Sequence, residues 1–284
     1  MISQVISYLT GNFPFAGEFV AFWMAVQGAM AVRGGPNKDG KMNWFHAFAQ
    51  SVFSGFAGGI LGPIWMGKST PMLSNDVNFS MCVLAFCIVN YSPLDLGYTL
   101  AKTFPFRLVT GSAAQLFRSL GVVKFCDIAF AAFKDSPSKY YPIPVFGPIL
   151  NATILGNMGG FFSKGFHGHL EKGMPLAFKN GFILASFYHF VAHDTDGPIG
   201  NMLRLLIKDV KMGLSDEVFA VVIVGLVMQL NVILQMKEFF GPSFNVYDIV
   251  LSPLCAFLGK FAPGSKRKEI PAGLKKKKKK KKTN

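Results

Sequence analysis

Apolar residues gather along this chain in long stretches parted by short polar ones, and seven such stretches lie at about 13–32, 43–66, 78–91, 105–133, 143–163, 175–193 and 217–236. A hydrocarbon core about 30 Å thick takes roughly 20 apolar residues per helical crossing. The pattern therefore predicts an all-α integral membrane protein with seven transmembrane helices. The connections, such as "RGGPNKDGK", "GKSTPMLSND" and "KDSPSKYYPIP", are rich in Gly, Pro, Asn and Lys, which marks turns rather than domain linkers. Residues 1–241 are expected to form one bundle, with the seventh helix at about 217–236, and 242–284 a basic tail, largely disordered toward its end.

Composition agrees with this reading. The chain is 51% hydrophobic and only 15% charged, whereas soluble domains carry about 25% charged residues. Net charge is +14, but eight of those charges are Lys275 to Lys282, so the rest of the chain carries +6. A run of like charge is solvated, and beside a membrane it attracts anionic lipid; nucleic acid is not an expected partner. The positive-inside rule puts the tail in the cytosol, and seven crossings then leave the N-terminus in the lumen or at the exterior. Cys82, Cys87, Cys126 and Cys255 fall in apolar stretches without metal-ligand spacing and read as buried thiols. No Gly-rich phosphate loop and no nucleophile with a base in motif context is present, so an enzyme is not expected.

Landmarks recur at an offset near 101 residues. "FAGGIL" holds Gly58 and Gly59 and "NMGGFF" holds Gly159 and Gly160; "NYSPLDLG" ends the third stretch and "VAHDTDGPIG" the sixth; "FPF" precedes both the first and the fourth. A three-helix unit used twice, at about 13–98 and 104–200, must be inverted in the membrane, an arrangement characteristic of ion and solute pathways. The glycine pairs read either as close helix packing or as matched helix breaks lining a cavity. Their matched positions favour breaks.

"FPFAGEFVAF", "FSGFAGG", "NYSPLDLGY", the basic fourth stretch, "NMGGFF" and the lysine-rich tail together resemble the trimeric intracellular cation channel family. That resemblance covers about residues 13–236. It implies two inverted three-helix repeats plus a seventh helix, a homotrimer with one pore per protomer, and residence in the endoplasmic or sarcoplasmic reticulum. It also implies conduction of potassium and other monovalent cations as counter-ion flux during calcium release, and regulation by a bound phosphoinositide, phosphatidylinositol 4,5-bisphosphate. A secondary transporter or a non-conducting lipid-binding scaffold shares several of these sequence features.

The fourth stretch carries Arg118, Lys124 and Asp127. Arg118 and Lys124 are six residues apart, about 120° round a straight helix, whereas Arg107 and Arg118 nearly share a face. A charge at mid-bilayer faces a cavity or a partner. The readings open for these residues are snorkelling for Arg118, an ion pair with Asp127 for Lys124, and a phosphoinositide headgroup held by Arg118, Lys124, Lys102 and Arg107. The fourth stretch could also sense voltage. Glu18 reads as an interfacial residue or a cation-attracting group at the pore mouth. His189 and His193 lie four apart with Asp194 nearby, spacing that suits metal ligands or a luminal cation sensor, although no metal site is expected.

Overall fold

The computed structural model describes residues 2–135, 139–170, 175–211 and 213–235. Among them the regular structure is helical throughout. A short helix α1 (Ile2–Leu9) precedes α2 (Ala16–Gly34), α3 (Trp44–Trp65), α4 (Pro71–Ser74), α5 (Asp76–Tyr91), α6 (Leu96–Ala101), α7 (Phe104–Phe133), α8 (Phe146–Leu155), α9 (Gly159–Leu170), α10 (Leu176–Ala192), α11 (Pro198–Ile207) and α12 (Asp216–Gln235).

Local chemistry sets many of these boundaries. Asn43 caps α3 by accepting from the His46 N–H at 2.8 Å, and Asn75 caps α5 by accepting from Val77 N–H at 3.0 Å. After Tyr91 the chain turns through a 3-10 segment, Pro93–Asp95, where Leu94 and Asp95 have positive φ, and α6 leaves at 90° to α5. The second half repeats this plan. α10 ends at Ala192, and α11 begins at Pro198 after a short break. Each break is closed by an arginine on the freed carbonyls. Arg33 of α2 donates to the Val89 carbonyl and pairs with Asp95 at 2.6 Å. Arg204 of α11 donates to the carbonyls of Val191 at 3.3 Å and Asp194 at 2.8 Å.

Two apolar cores result. One gathers residues of α2, α3 and α5, and the other residues of α7, α8, α10 and α12. They are joined where α2 packs on α7 and α3 on α8 and α9. Fully buried alanines are frequent in both, among them Ala57, Ala85, Ala113, Ala152 and Ala185, as expected where helices approach closely in lipid.

Three differences from the sequence reading have physical causes. α3 and α12 are long and apolar enough to cross a membrane, and α5 with its bent continuation passes as a pair. The other expected crossings do not stand out by length and apolarity: α7 carries Arg107, Arg118, Lys124 and Asp127, and α8, α9 and α10 are cut short by breaks. The predicted break at Gly58 and Gly59 does not occur, because α3 runs unbroken through both and uses Gly58 for close approach. In the second half the helix does break, but at Gly156 to Met158, just before Gly159. Cys82 and Cys126 are buried as expected and Cys87 is exposed; Cys255, the 242–284 tail and its lysines lie outside the described residues.

Candidate ion pathway

α3 and the α8–α9 pair cross on small residues, and the crossing reads the same from either side. A Cβ on Gly58 would collide with the Leu155 carbonyl, and a Cβ on Gly159 would collide with the Ser54 carbonyl. Ser54 and Gly58 stand in the first half as Leu155 and Gly159 stand in the second, each pair four apart and offset by the 101 residues seen in the sequence. Neighbouring glycines do different work. Gly59 is half-buried with only the Phe117 ring near it, at 4.0 Å, and Gly160 makes room for the His169 imidazole.

Beside this crossing lie two cavities. The first, about 440 Å³, is bounded by Gln27, Ser54, Gly58, Arg118, Asn157 and His169, with exposed Lys164 at its edge. Among the described residues its lining contains no carboxylate. Arg118 donates to Gln27 Oε1 at 3.1 Å, a neutral partner for a half-buried cation. The Ser54 hydroxyl, Asn157 Oδ1 and His169 Nε2 are buried there without hydrogen-bond partners. Orphaned polar atoms on a cavity wall are suited to water or a polar ligand.

The second cavity, about 420 Å³, lies toward the N-terminal half of α2 and the loop after α3. It is bounded by Gly17, Pro63, Met72, Asn78 and Ile128, and its charged wall residue is Lys124. The two cavities share Gly59, Phe117, Gly121 and Phe125. Phe117 is braced edge-on against Phe56, ring centroids 5.3 Å apart. An aromatic septum thus separates two chambers strung along α7.

The structure distributes the expected basic residues rather than clustering them. Arg118 and Lys124 face different chambers, because six residues turn the helix about 120° and raise it about 9 Å. Lys102 and Arg107 are exposed near the start of α7, with Lys102 Nζ 3.8 Å from the Tyr98 ring centroid. The alternative ion pair of Lys124 with Asp127 is not formed; Asp127 Oδ1 instead accepts from Tyr188 at 2.8 Å and lies 3.0 Å from His193 Nε2. Glu18 occupies the first turn of α2, favourable to the helix dipole, but its neighbours Ala16 and Gly17, not Glu18, line the second chamber. Gln27, Asn157, His169 and Phe117 were missed by sequence reasoning. Gln27 and Asn157 had a signal, Gln27 as a lone amide and Asn157 as one of two amides in an apolar run; Phe117 is one of 30 phenylalanines and had none.

Residues 35–152 match the family model described as TRIC channel. A solved trimeric intracellular cation channel from C. elegans in the absence of Ca2+ aligns with a TM-score of 0.56 at 16% identity, covering 82% of this chain and 97% of that one. The C. elegans channel with bound Ca2+ aligns with a TM-score of 0.54 at 13% identity, covering 80% and 94%. A structure that addresses the activity of TRIC counter-ion channels in calcium release aligns with a TM-score of 0.55 at 18% identity, covering 81% and 100%. At these identities the likeness is one of fold. No curated protein sequence matches.

Proposed function

We propose that this chain, whose residues 35–152 match the TRIC channel family model, is a member of that family and a potassium-conducting channel of the endoplasmic or sarcoplasmic reticulum that supplies counter-ion flux during calcium release. One observation carries the reading: two chambers, the first lined by polar groups and the second largely apolar with Asn75, Asn78 and Lys124 in its wall, lie along α7 and are parted by a septum of Gly59, Phe117, Gly121 and Phe125. Joined, they make one continuous path through the protomer. The reading takes the bundle as seven crossing helices, two inverted three-helix units and α12, assembled as a homotrimer with the N-terminus luminal and the tail cytosolic. The reciprocal contacts of Gly58 with Leu155 and Gly159 with Ser54 support the inverted pair.

A basic wall repels cations, and an anionic headgroup resolves that conflict. On this reading the first chamber, with Arg118 and Lys164 and no carboxylate among the described residues of its lining, takes the phosphates of a phosphoinositide such as phosphatidylinositol 4,5-bisphosphate. Lys102 and Arg107 guide the lipid along the start of α7. Lys124, alone in the second chamber, sets the potential there and, with Arg118, makes conduction responsive to voltage.

The test is a recording from purified full-length chain in a planar bilayer with potassium on both sides. Unitary ohmic currents, enlarged when Phe117→Ala thins the septum, are expected. Saturable flux coupled to a second ion without unitary currents would identify a transporter instead, and lipid binding without flux a scaffold.

A further inference from the structure

Away from both chambers, α7 and α10 bring three metal-ligating side chains together. Ligand atoms of Cys126, His189 and His193 all lie within 4.8 Å of one another. Cys126 Sγ is 3.8 Å from His189 Nδ1, and both residues are fully buried. His189 Nε2 is buried and makes no well-formed hydrogen bond, with the Pro144 backbone as its polar neighbour. His193 is stacked on Phe130, ring centroids 4.2 Å apart, and its Nε2 lies 3.0 Å from Asp127 Oδ1. Tyr188 donates to the same carboxylate oxygen.

We propose that Cys126, His189 and His193, with Asp127 beside them, form a binding site for Zn2+. Thiolate and imidazole donors select zinc over calcium, which takes six to eight oxygen ligands. A buried imidazole with an unsatisfied nitrogen is a poor core residue and a good ligand. His189 can turn either nitrogen to the ion. Asp127 either completes a four-coordinate set or orients the His193 ring as an outer carboxylate.

Charge balances as well. Binding forms the Zn–S and Zn–N bonds and releases the Cys126 thiol proton to solvent. Thiolate and Asp127 carboxylate then offset the two charges of the ion, so the buried centre is neutral. The Asp127 side chain, 42% exposed, marks the side from which the ion enters. Occupation would tie the second half of α7 to the end of α10. The proposal does not depend on the channel reading.

Co2+ serves as the spectroscopic probe, added to untagged, full-length protein in detergent. We expect about one Co2+ per chain, with the intense visible bands of a tetrahedral site and a thiolate charge-transfer band. Zn2+ should bleach both and excess Ca2+ neither. Cys126→Ser should remove the charge-transfer band, and Asp127→Asn should weaken binding about 10–100-fold. Cys82→Ser, at a buried thiol elsewhere, should change nothing. Absence of the thiolate band in the wild-type chain overturns the proposal without recourse to any variant. So does undiminished binding in the Cys126→Ser, His193→Gln double variant, which removes two of the three clustered ligands.

Discussion

A single glycine in this bundle either holds two helices together or stands free, and the two kinds part sharply at Gly58 and Gly59. Adding one methyl at Gly58 meets the Leu155 backbone, which cannot rotate away. We expect Gly58→Ala to destabilise the fold by about 1–3 kcal/mol, as overpacking does, seen as a lowered unfolding midpoint in detergent. Gly59→Ala meets nothing closer than the Phe117 ring and gains up to about 1 kcal/mol of helix propensity. It should melt no lower than wild type while altering unitary conductance, because it narrows the septum. Equal stability of the two variants would refute the assignment. At Arg118 the expected effect is on lipid. A charge-assisted hydrogen bond is worth about 1.5–3 kcal/mol, so Arg118→Gln should reduce phosphoinositide co-purification by about tenfold or more, measured by mass spectrometry of the extracted lipid. The glycine pairs were visible in the sequence at matched positions, yet their role was not. Propensity alone argues for a break, and only the facing backbone shows that α3 exchanges propensity for proximity. For the basic residues, helical spacing correctly separated Arg118 from Lys124, but it could not say that each faces its own chamber.

Among the elements, α10 and α11 depend on a loop partner for the angle between them. Asp194, fully buried, accepts from Tyr141 Oη and from the Gly200 N–H, each at 2.7 Å, so one carboxylate oxygen ties the loop before α8 to the start of α11. Burial first, and then the hydrogen bond to Asp194, raises the Tyr141 phenol above its ordinary range. The phenol must be protonated to donate, so this stabilisation is present below the ordinary tyrosine range near pH 10 and is lost as pH rises through the elevated value. Tyr141→Phe should lower stability by about 1 kcal/mol and flatten that alkaline limb in a pH series of melting curves. A limb unchanged by the substitution would count against the pairing. "VAHDTDGPIG" announced a break through its Gly and Pro. It did not announce Tyr141, which lies more than 50 residues away in sequence. The short α1 was not anticipated either, since eight residues with Leu9 alone buried leave too weak a pattern.

At the scale of the whole molecule, the described helices and the family match were legible from long apolar stretches and ordered landmarks. The number of crossings was less so, because the helices that carry charge or glycine breaks lose the apolar length by which crossings are recognised. We expect the full chain, and a chain truncated after about residue 260, to elute as homotrimers by light scattering in mild detergent, since a run of eight lysines repels itself and cannot supply a bundle contact. A monomeric full-length chain would contradict the assembly. The septum around Phe117 has an electrical consequence. On the proposed channel reading, water in the two chambers would carry the bulk potential of each side inward, so most of the membrane voltage would fall across the few ångströms of aromatic wall instead of the full hydrocarbon thickness. Arg118 and Lys124, about 9 Å apart along α7, would then stand on opposite sides of that drop. A displacement of either charge through this thin dielectric then couples to nearly the whole potential, about 2.3 kcal/mol per charge per 100 mV, where the same motion in an unbroken bilayer would couple to a fraction of it.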